Sequence, residues 1–219
     1  MMYQCFLYGK DYFFSQGIKT VISGLLAEKT EFLYSLTDDY AQLITQLQTR
    51  VNDGCCRWIL CDLDSLPQER FHAMQLMKDF YEHENKNLVI LLNEHNMPLF
   101  FAFYSLLPTA HWLLKKENIE DITFFFQDLL AQRRKGGRFS TSLVNYTRRK
   151  LCNRESDYTI SGHEWWLMEE IFKGKSLSQI SGEVNVDIRR LSYIKRNLMK
   201  RLNIKNNIAL FAVFRRIMP

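Results

Sequence analysis

Two stretches of this 219-residue chain hold side chains able to do chemistry. In ILCDLDSLP, Ile59 to Pro67, an apolar run ends on the carboxylate of Asp62. A carboxylate where a buried strand gives way to a loop is placed to accept a phosphoryl group, provided further oxygen ligands hold a hard cation beside it. It is placed equally well to cap the loop before Pro67, and position alone leaves both readings open. In IRRLSYIKRNLMKRL, Ile188 to Leu202, cations recur through an amphipathic run. Arg and Lys neutralise phosphates and release counterions, and Arg to guanine is the commonest base contact in the major groove.

Wound at 100° per residue, that second stretch gathers Ile188, Leu191, Ile194, Leu198, Met199 and Leu202 on one side. Arg189, Tyr193, Arg196 and Lys200 gather opposite, with Ser192 and Asn197 at the edges. Lys195 lies toward the apolar side, so its charge must snorkel or contact backbone phosphate. A solvated basic helix would show the same charge. The surroundings argue for more: Gly174 stops one helix (Gly162–Lys173), Ser176 caps a short one (Leu177–Val184), and Asp187 caps the basic one. Two short helices joined by a tight turn, the second cationic, form a helix-turn-helix signal. A last helix is expected over Asn207–Met218.

The elements before this region follow another rhythm. Tyr3–Tyr8, Glu31–Leu36, Trp58–Cys61, Leu88–Leu92 and Trp112–Leu114 read as buried strands. Tyr12–Leu26, Tyr40–Val51, Gln68–His83, Leu99–Leu107 and Ile119–Arg133 read as helices. This alternation predicts an α/β fold, a doubly wound five-stranded parallel sheet, with an all-α four-helix domain after it. Functional crevices in such sheets open at the carboxyl ends of the strands, which is where Asp62 falls. The predicted division is 1–133, a linker with a short helix over 134–157, and 158–219. Charge divides the same way: 11 basic and 17 acidic residues before position 134, 18 basic and 7 acidic from there on. A cationic tail half points to a polyanion partner.

Composition narrows the class further. Apolar residues make up 47% and charged ones 24%, which is ordinary globular usage. No basic start followed by an apolar core opens the chain, and the longest lipid-like run, Met97–Pro108, is far below the roughly 20 residues of a spanning helix. The expectation is a cytoplasmic protein that binds no membrane. Five cysteines without a CxxC pair suggest buried thiols in a reducing compartment, and five scattered histidines suggest no metal site and no cofactor. No nucleophile–base pair or phosphate loop argues for an enzyme.

The carboxyl-terminal third resembles the LuxR-type helix-turn-helix of the NarL/FixJ response regulators. ISGHE (Ile160–Glu164) matches the family's opening Leu-Thr/Ser-x-x-Glu, GKSLSQISGEVNVD (Gly174–Asp187) its central pattern, and NLMKRLNI (Asn197–Ile204) the close of its recognition helix. Ser181 stands where alanine is usual, and Val184 replaces a leucine. The likeness covers about Thr159–Phe214. Carried over, base-facing positions fall on Ser192, Tyr193 and Arg196, and phosphate partners on Arg190, Lys200 and Lys205. Ile194 departs from the usual polar residue. The last helix is similar to the dimerisation helix of these domains. NNIALF (Asn206–Phe211) and GRFSTSLVN (Gly137–Asn145) resemble the Rcs-type regulators of enteric bacteria, whose two-component systems use such proteins to control transcription.

The resemblance makes the front half a receiver domain and supplies a test for Asp62. Receivers place an acidic pair after the first strand to hold Mg²⁺; here those positions are Gly9 and Lys10, with Asp11 just beyond. The Ser or Thr that ends the fourth strand is Leu92. Lys115 matches the family lysine after the fifth strand, and Asp64 lengthens the loop after Asp62. The expectation is a degenerate pocket in which Asp62 and Lys115, with Lys10, form a permanent ion pair. The implied function is a DNA-binding transcription regulator with a phosphorylation-independent receiver, binding double-stranded DNA as a homodimer or as a heterodimer with a related response regulator. Two other readings remain. The aromatics Phe100, Phe101, Phe103, Tyr104, Phe124, Phe125 and Phe126 would line a pocket for a small molecule, or the chain would serve as an adaptor of another regulator without touching DNA.

Overall fold

The computed structural model describes residues 2–26, 30–52, 54–81, 86–131, 136–153 and 159–218. They sort into two compact units, Met1–Glu94 with Leu107–Arg149, and His95–Leu106 with Lys150–Pro219.

The first unit is built on strands β1 (Met2–Tyr8), β2 (Glu31–Thr37), β3 (Cys55–Asp62), β4 (Lys86–Leu92) and β5 (His111–Leu114). They lie in the order β2-β1-β3-β4-β5, every neighbouring pair parallel. This is the doubly wound sheet that the alternation predicts. Side chains alternate across a strand, so each face needs its own cover. Cys5, Leu7, Trp58, Leu60, Val89, Leu91 and Leu113 meet Ile18 and Ile22 of helix α1 (Tyr12–Leu25) and Phe125, Phe126 and Leu129 of the helix Ile119–Leu130. The opposite face buries Ile59, Cys61, Leu88 and Ile90, with Leu43 and Leu47 of α2 (Tyr40–Gln48) and Met74 and Met77 of α3 (Arg70–Phe80) fully enclosed. Each such side chain stabilises the fold by about 1.5–3 kcal/mol relative to exposure.

Two strands start earlier than their apolar runs. β3 begins at Cys55 because two thiols, both buried, are small enough to pair beside Met2 and Tyr3. β4 begins at Lys86, whose ammonium reaches back to donate to the Leu47 carbonyl at 2.5 Å. A buried lysine with a backbone acceptor is invisible to a hydrophobicity pattern. The predicted ends of the helices over Gln68–His83 and Ile119–Arg133 fall partly outside the described residues.

β5 is short, and its outer edge is occupied. Trp112 N–H donates to the Arg138 carbonyl at 2.7 Å, and Ser140 N–H to the Trp112 carbonyl at 2.9 Å, making a parallel bridge between Trp112 and Phe139. The following helix, Thr141–Asn153, is the short helix expected near Ser142–Lys150.

The second unit holds α4 (Phe100–Leu106), reached through a 3-10 turn at Glu94–Leu99. Counting Ile119–Leu130 as α5 and Thr141–Asn153 as α6, it continues with α7 (Gly162–Phe172), α8 (Leu177–Val184), α9 (Ile188–Arg201) and α10 (Asn207–Ile217). Both α7 and α8 open with a complete capping box, Ser161 with Glu164 and Ser176 with Gln179. Each satisfies two backbone donors that a helix start otherwise leaves orphaned. Asn185, left-handed at φ 52°, ends α8, and Asp187 accepts from Arg189 N–H at 2.7 Å to start α9. Leu167, Ile180 and Leu191 close the three-helix core. Phe211 and Phe214 of α10 pack on Phe172 at centroid distances of 4.8 and 5.2 Å. Phe103 of α4 meets Trp165 edge to face at 4.8 Å, and Ile160 N–H donates to the Pro98 carbonyl at 2.9 Å. No helix among the described residues is long and apolar enough to cross a membrane.

Candidate nucleic-acid interface and acidic pocket

Register places the pocket. Asp62 is level with Leu91 on β4, which is level with Leu113 on β5, so the loops after β1, β3 and β5 meet at one edge of the sheet. Asp62 is 4% exposed. Its Oδ1 accepts from Asp64 N–H at 3.3 Å, and its Oδ2 accepts from the Ser65 hydroxyl and the Lys115 ammonium, both at 3.2 Å. The carboxylate therefore caps its own loop and pairs with the lysine at once. Lys115 also reaches Asp11 at 3.2 Å and lies 5.0 Å from the centre of the Phe14 ring. Asp11 is committed as well, since Oδ1 accepts from Phe14 N–H to cap α1. Asp64 accepts from the amide of Asn93.

The expected part of Lys10 in this ion pair is corrected. Its side chain is exposed, and it enters the pocket through its backbone N–H, which donates to Ser65 Oγ at 2.9 Å. Among the described residues, Lys115 is the cation bonded to Asp62. Gly9 offers no oxygen, and its backbone runs so close that a Cβ there would lie 3.2 Å from Asp62 Cβ. Leu92 is fully buried and contributes only its carbonyl, to Lys115 N–H at 2.7 Å. Ser65, Phe14 and Asn93 escaped the sequence analysis; the signal for Ser65 was a hydroxyl three residues past a strand-end Asp.

Burial, with a smaller push from Asp64, raises the Asp62 carboxyl above its ordinary value, against the opposing pull of Lys115 and Ser65. Burial also works to lower Lys115, but Asp62 and Asp11 together carry it above the usual lysine range. The Phe14 N–H, with Lys115, holds Asp11 low against its burial. The folded state thus binds the Asp62 proton more tightly than the unfolded chain, so stability from this group is present at acid pH and is lost as pH rises from 3.8 through the raised folded value. An Asp62→Asn chain lacks that loss. Urea midpoints measured from pH 3.5 to 7 are expected to show the variant gaining on wild type across this window and running parallel above it. A wild type that gains on the variant instead would place the carboxyl below its ordinary value.

On α9 the wheel and the structure agree. Leu191 and Leu198 are buried, and Ile194 and Met199 partly so. Arg189, Arg190, Arg196 and Lys200 are exposed, Tyr193 is 60% exposed, and Ser192 and Lys195 are half-buried. Lys205 is exposed in the turn after the helix. Ile188, placed on the anchoring side by the wheel, is 41% exposed because the helix starts there. Arg201, at the end of α9, is engaged within the domain: its guanidinium bonds Glu164 Oε2 at 2.6 Å. That same oxygen accepts from the N–H and hydroxyl of Ser161, each at 2.9 Å, so one carboxylate caps α7 and anchors the end of α9. Lys175 is likewise taken, held by Glu170 at 2.7 Å and Glu183 at 2.5 Å.

The seven aromatics considered as a pocket lining divide between the two units. Phe103 packs on Trp165, Phe100 stacks with Tyr104, and Phe126 stacks on Trp58 at 5.6 Å. Phe124 and Phe125 border an open groove of about 250 Å³ that also holds the Asp128–Arg138 ion pair.

No protein-family profile matches the chain, and no curated relative does. Solved structures do. RcsB from Salmonella enterica serovar Typhimurium, bound to promoter rprA in the presence of phosphomimetic BeF3-, superposes with a TM-score of 0.59 at 18% identity, over 97% of this chain and 98% of that one. The two-component response regulator RcsB–DNA complex gives 0.56 at 16%, over 99% and 98%. Two RcsB dimers bound to two parallel DNAs give 0.53 at 17%, over 98% of each. At such identities the likeness is one of architecture: the chain has the fold of a full-length response regulator, a receiver-like α/β domain followed by a helical domain.

Proposed function

We propose that this protein is a DNA-binding transcription regulator whose receiver-like unit works without phosphoryl transfer. The observation that carries the reading is the stripe of Arg189, Tyr193, Arg196 and Lys200 on the exposed side of α9, opposite a side anchored by Leu191 and Leu198. A helix held this way by two others can lay its outer face in a major groove, with Arg196, Tyr193 and Ser192 toward base edges and Arg190, Lys200 and Lys205 toward phosphates. The similar structures are RcsB–DNA complexes, which supports the same function here.

The pocket supports independence from phosphate. A hard cation needs several free oxygen ligands, and here Asp11 and Asp62 share one ammonium while Asp64 is engaged by Asn93. Incubation of the purified protein with acetyl phosphate and Mg²⁺ is expected to leave Asp62 unmodified by intact mass. Stoichiometric, Mg²⁺-dependent addition at Asp62 would refute this half of the reading.

One helix-turn-helix module buries little surface, so stable binding takes two protomers on two half-sites. α10 presents Ile208, 81% exposed, with Arg215 and Arg216 also exposed. The dimer is formed with a second copy or with a related response regulator. Promoter fragments titrated at low ionic strength, with and without such a partner, test the function as a whole. Indifference to DNA in both arms, with partner binding retained, would establish the adaptor reading instead. The aromatic groove is smaller than the roughly 300–1,000 Å³ of usual ligand sites, and it favours no small-molecule sensor.

A further inference from the structure

The geometry points to a mechanical coupling: the β5–α5 turn, Leu114–Asn118, transmits the engagement of Lys115 in the acidic pocket to the docking of Arg138–Val144 on the edge of the sheet. The chain leaving the first unit is clamped while Lys115 is held and loosens when Lys115 is withdrawn.

Three adjacent attachments make the path. Lys115 is fixed at its side chain by Asp62 and Asp11, both at 3.2 Å, and at its backbone by the Leu92 carbonyl. The residue before it, Leu114, gives its N–H to the hydroxyl of Ser140 at 3.1 Å and its carbonyl to Glu117 N–H at 3.1 Å. Glu117, two residues after Lys115 and 9% exposed, takes the N–H and the hydroxyl of Ser142 on its two carboxylate oxygens, each at 2.8 Å. Asp121, in the first turn of α5, takes the Thr141 hydroxyl at 2.8 Å. The Ser142 N–H in the first turn of α6 is thus capped by Glu117, carried on the turn that carries Lys115, while Asp121 on α5 holds the Thr141 hydroxyl, so displacing the turn uncaps the helix.

The docked segment is also held by the Arg138–Asp128 ion pair and by the burial of Leu143. Its backbone bonds go to Trp112, and Arg138 N–H donates to His111 Nδ1 at 3.1 Å. Burial and the nearby Arg138 push His111 down to about 4, so the ring stays neutral and Nδ1 stays an acceptor at neutral pH. Gly137 makes the approach possible, since a Cβ there would lie 2.3 Å from the Ala110 carbonyl. These attachments all fall within a short edge segment against a four-residue strand, an anchorage of the kind that opens locally without global unfolding.

Amide hydrogen exchange on the full-length protein, read by NMR, tests the coupling in both directions. Lys115→Met removes the ammonium and keeps the stem. Exchange at Ser140, Ser142 and Val144 is expected to rise by about tenfold or more, with Leu7 and Ile59 in the sheet centre unchanged. Unchanged exchange at all three amides would overturn the proposal. If Lys115→Met unfolds the unit, Glu117→Gln on the far side of the turn decides the matter. Coupling is reciprocal, so weakening the Ser142 bonds must shift the proton affinity of Asp62 by about twofold or more. An Asp62 carboxyl that titrates as in wild type would show a static edge strand and no coupling.

Discussion

Replacing Arg196 by alanine is expected to weaken binding to a promoter fragment by about 1–3 kcal/mol, roughly 5- to 150-fold, and to relax base preference at one position of each half-site. The effect should be large because Arg196 is exposed at the centre of the outer stripe of α9, seven residues after Arg189 and three after Tyr193. On the proposed function a guanidinium there would meet a base edge with paired donors. Lys200→Ala should behave differently. On the proposed function it would remove one phosphate contact, so binding should fall about equally on all sequences and the log–log salt slope should shrink by about 1. Arg201→Ala is the informative control. Its charge is bound to Glu164, so its loss should appear in unfolding and leave base preference alone. Fluorescence anisotropy at two salt concentrations, on specific and scrambled duplexes, separates the three. Wild-type affinity and preference in the Arg196 variant would remove α9 from the groove.

Phe103→Ala is expected to cost about 3–5 kcal/mol, and the loss should be felt in the helical unit. In sequence Phe103 belongs between β4 and β5, yet α4 packs with α7. Its ring meets Trp165 edge to face, and both are fully buried. The same layer is tied by Pro98 to Ile160 and by Asn96 to the Ile217 carbonyl at 2.9 Å. Truncating Phe103 leaves a void against Trp165, so amide exchange at Leu167 and Met168 should accelerate while Leu60 and Ile90 keep their protection. The reverse pattern, loss in the sheet alone, would show that α4 stabilises the wrong unit for this account.

What could be read from the residues alone follows from how local each signal is. The strands showed as short apolar runs, and the starts of α8 and α9 showed because Ser176 and Asp187 cap within three residues of themselves. The outer stripe of α9 showed because helical periodicity is set by backbone geometry and needs no partner. Asp62 with Lys115 was reachable only through a family likeness, because 53 positions separate them. Glu164 shows in the sequence for its place in ISGHE, but its second bond, to Arg201, does not, because 37 positions separate the two. Asp11 was weighed as a metal ligand, while the structure uses it to cap α1 and to hold Lys115. The attachment of Arg138–Ser140 to β5 left no trace at all, because one bridge of backbone bonds imposes no alternation on a sequence as short as RFS.

The oxygen shared by Ser161 and Arg201 sets a length rule for everything between them. Glu164 and Arg201 are 37 positions apart, and both ends of that span are pinned to one atom. A helix advances 1.5 Å for each residue, so α9 cannot slide along its axis without stripping either the first turn of α7 or its own last guanidinium contact. Insertions in the bends at Gly174 or Asn185 would have to bulge outward, leaving the span itself untouched. The axial position of the α9 side chains is thereby written into a distance inside the domain.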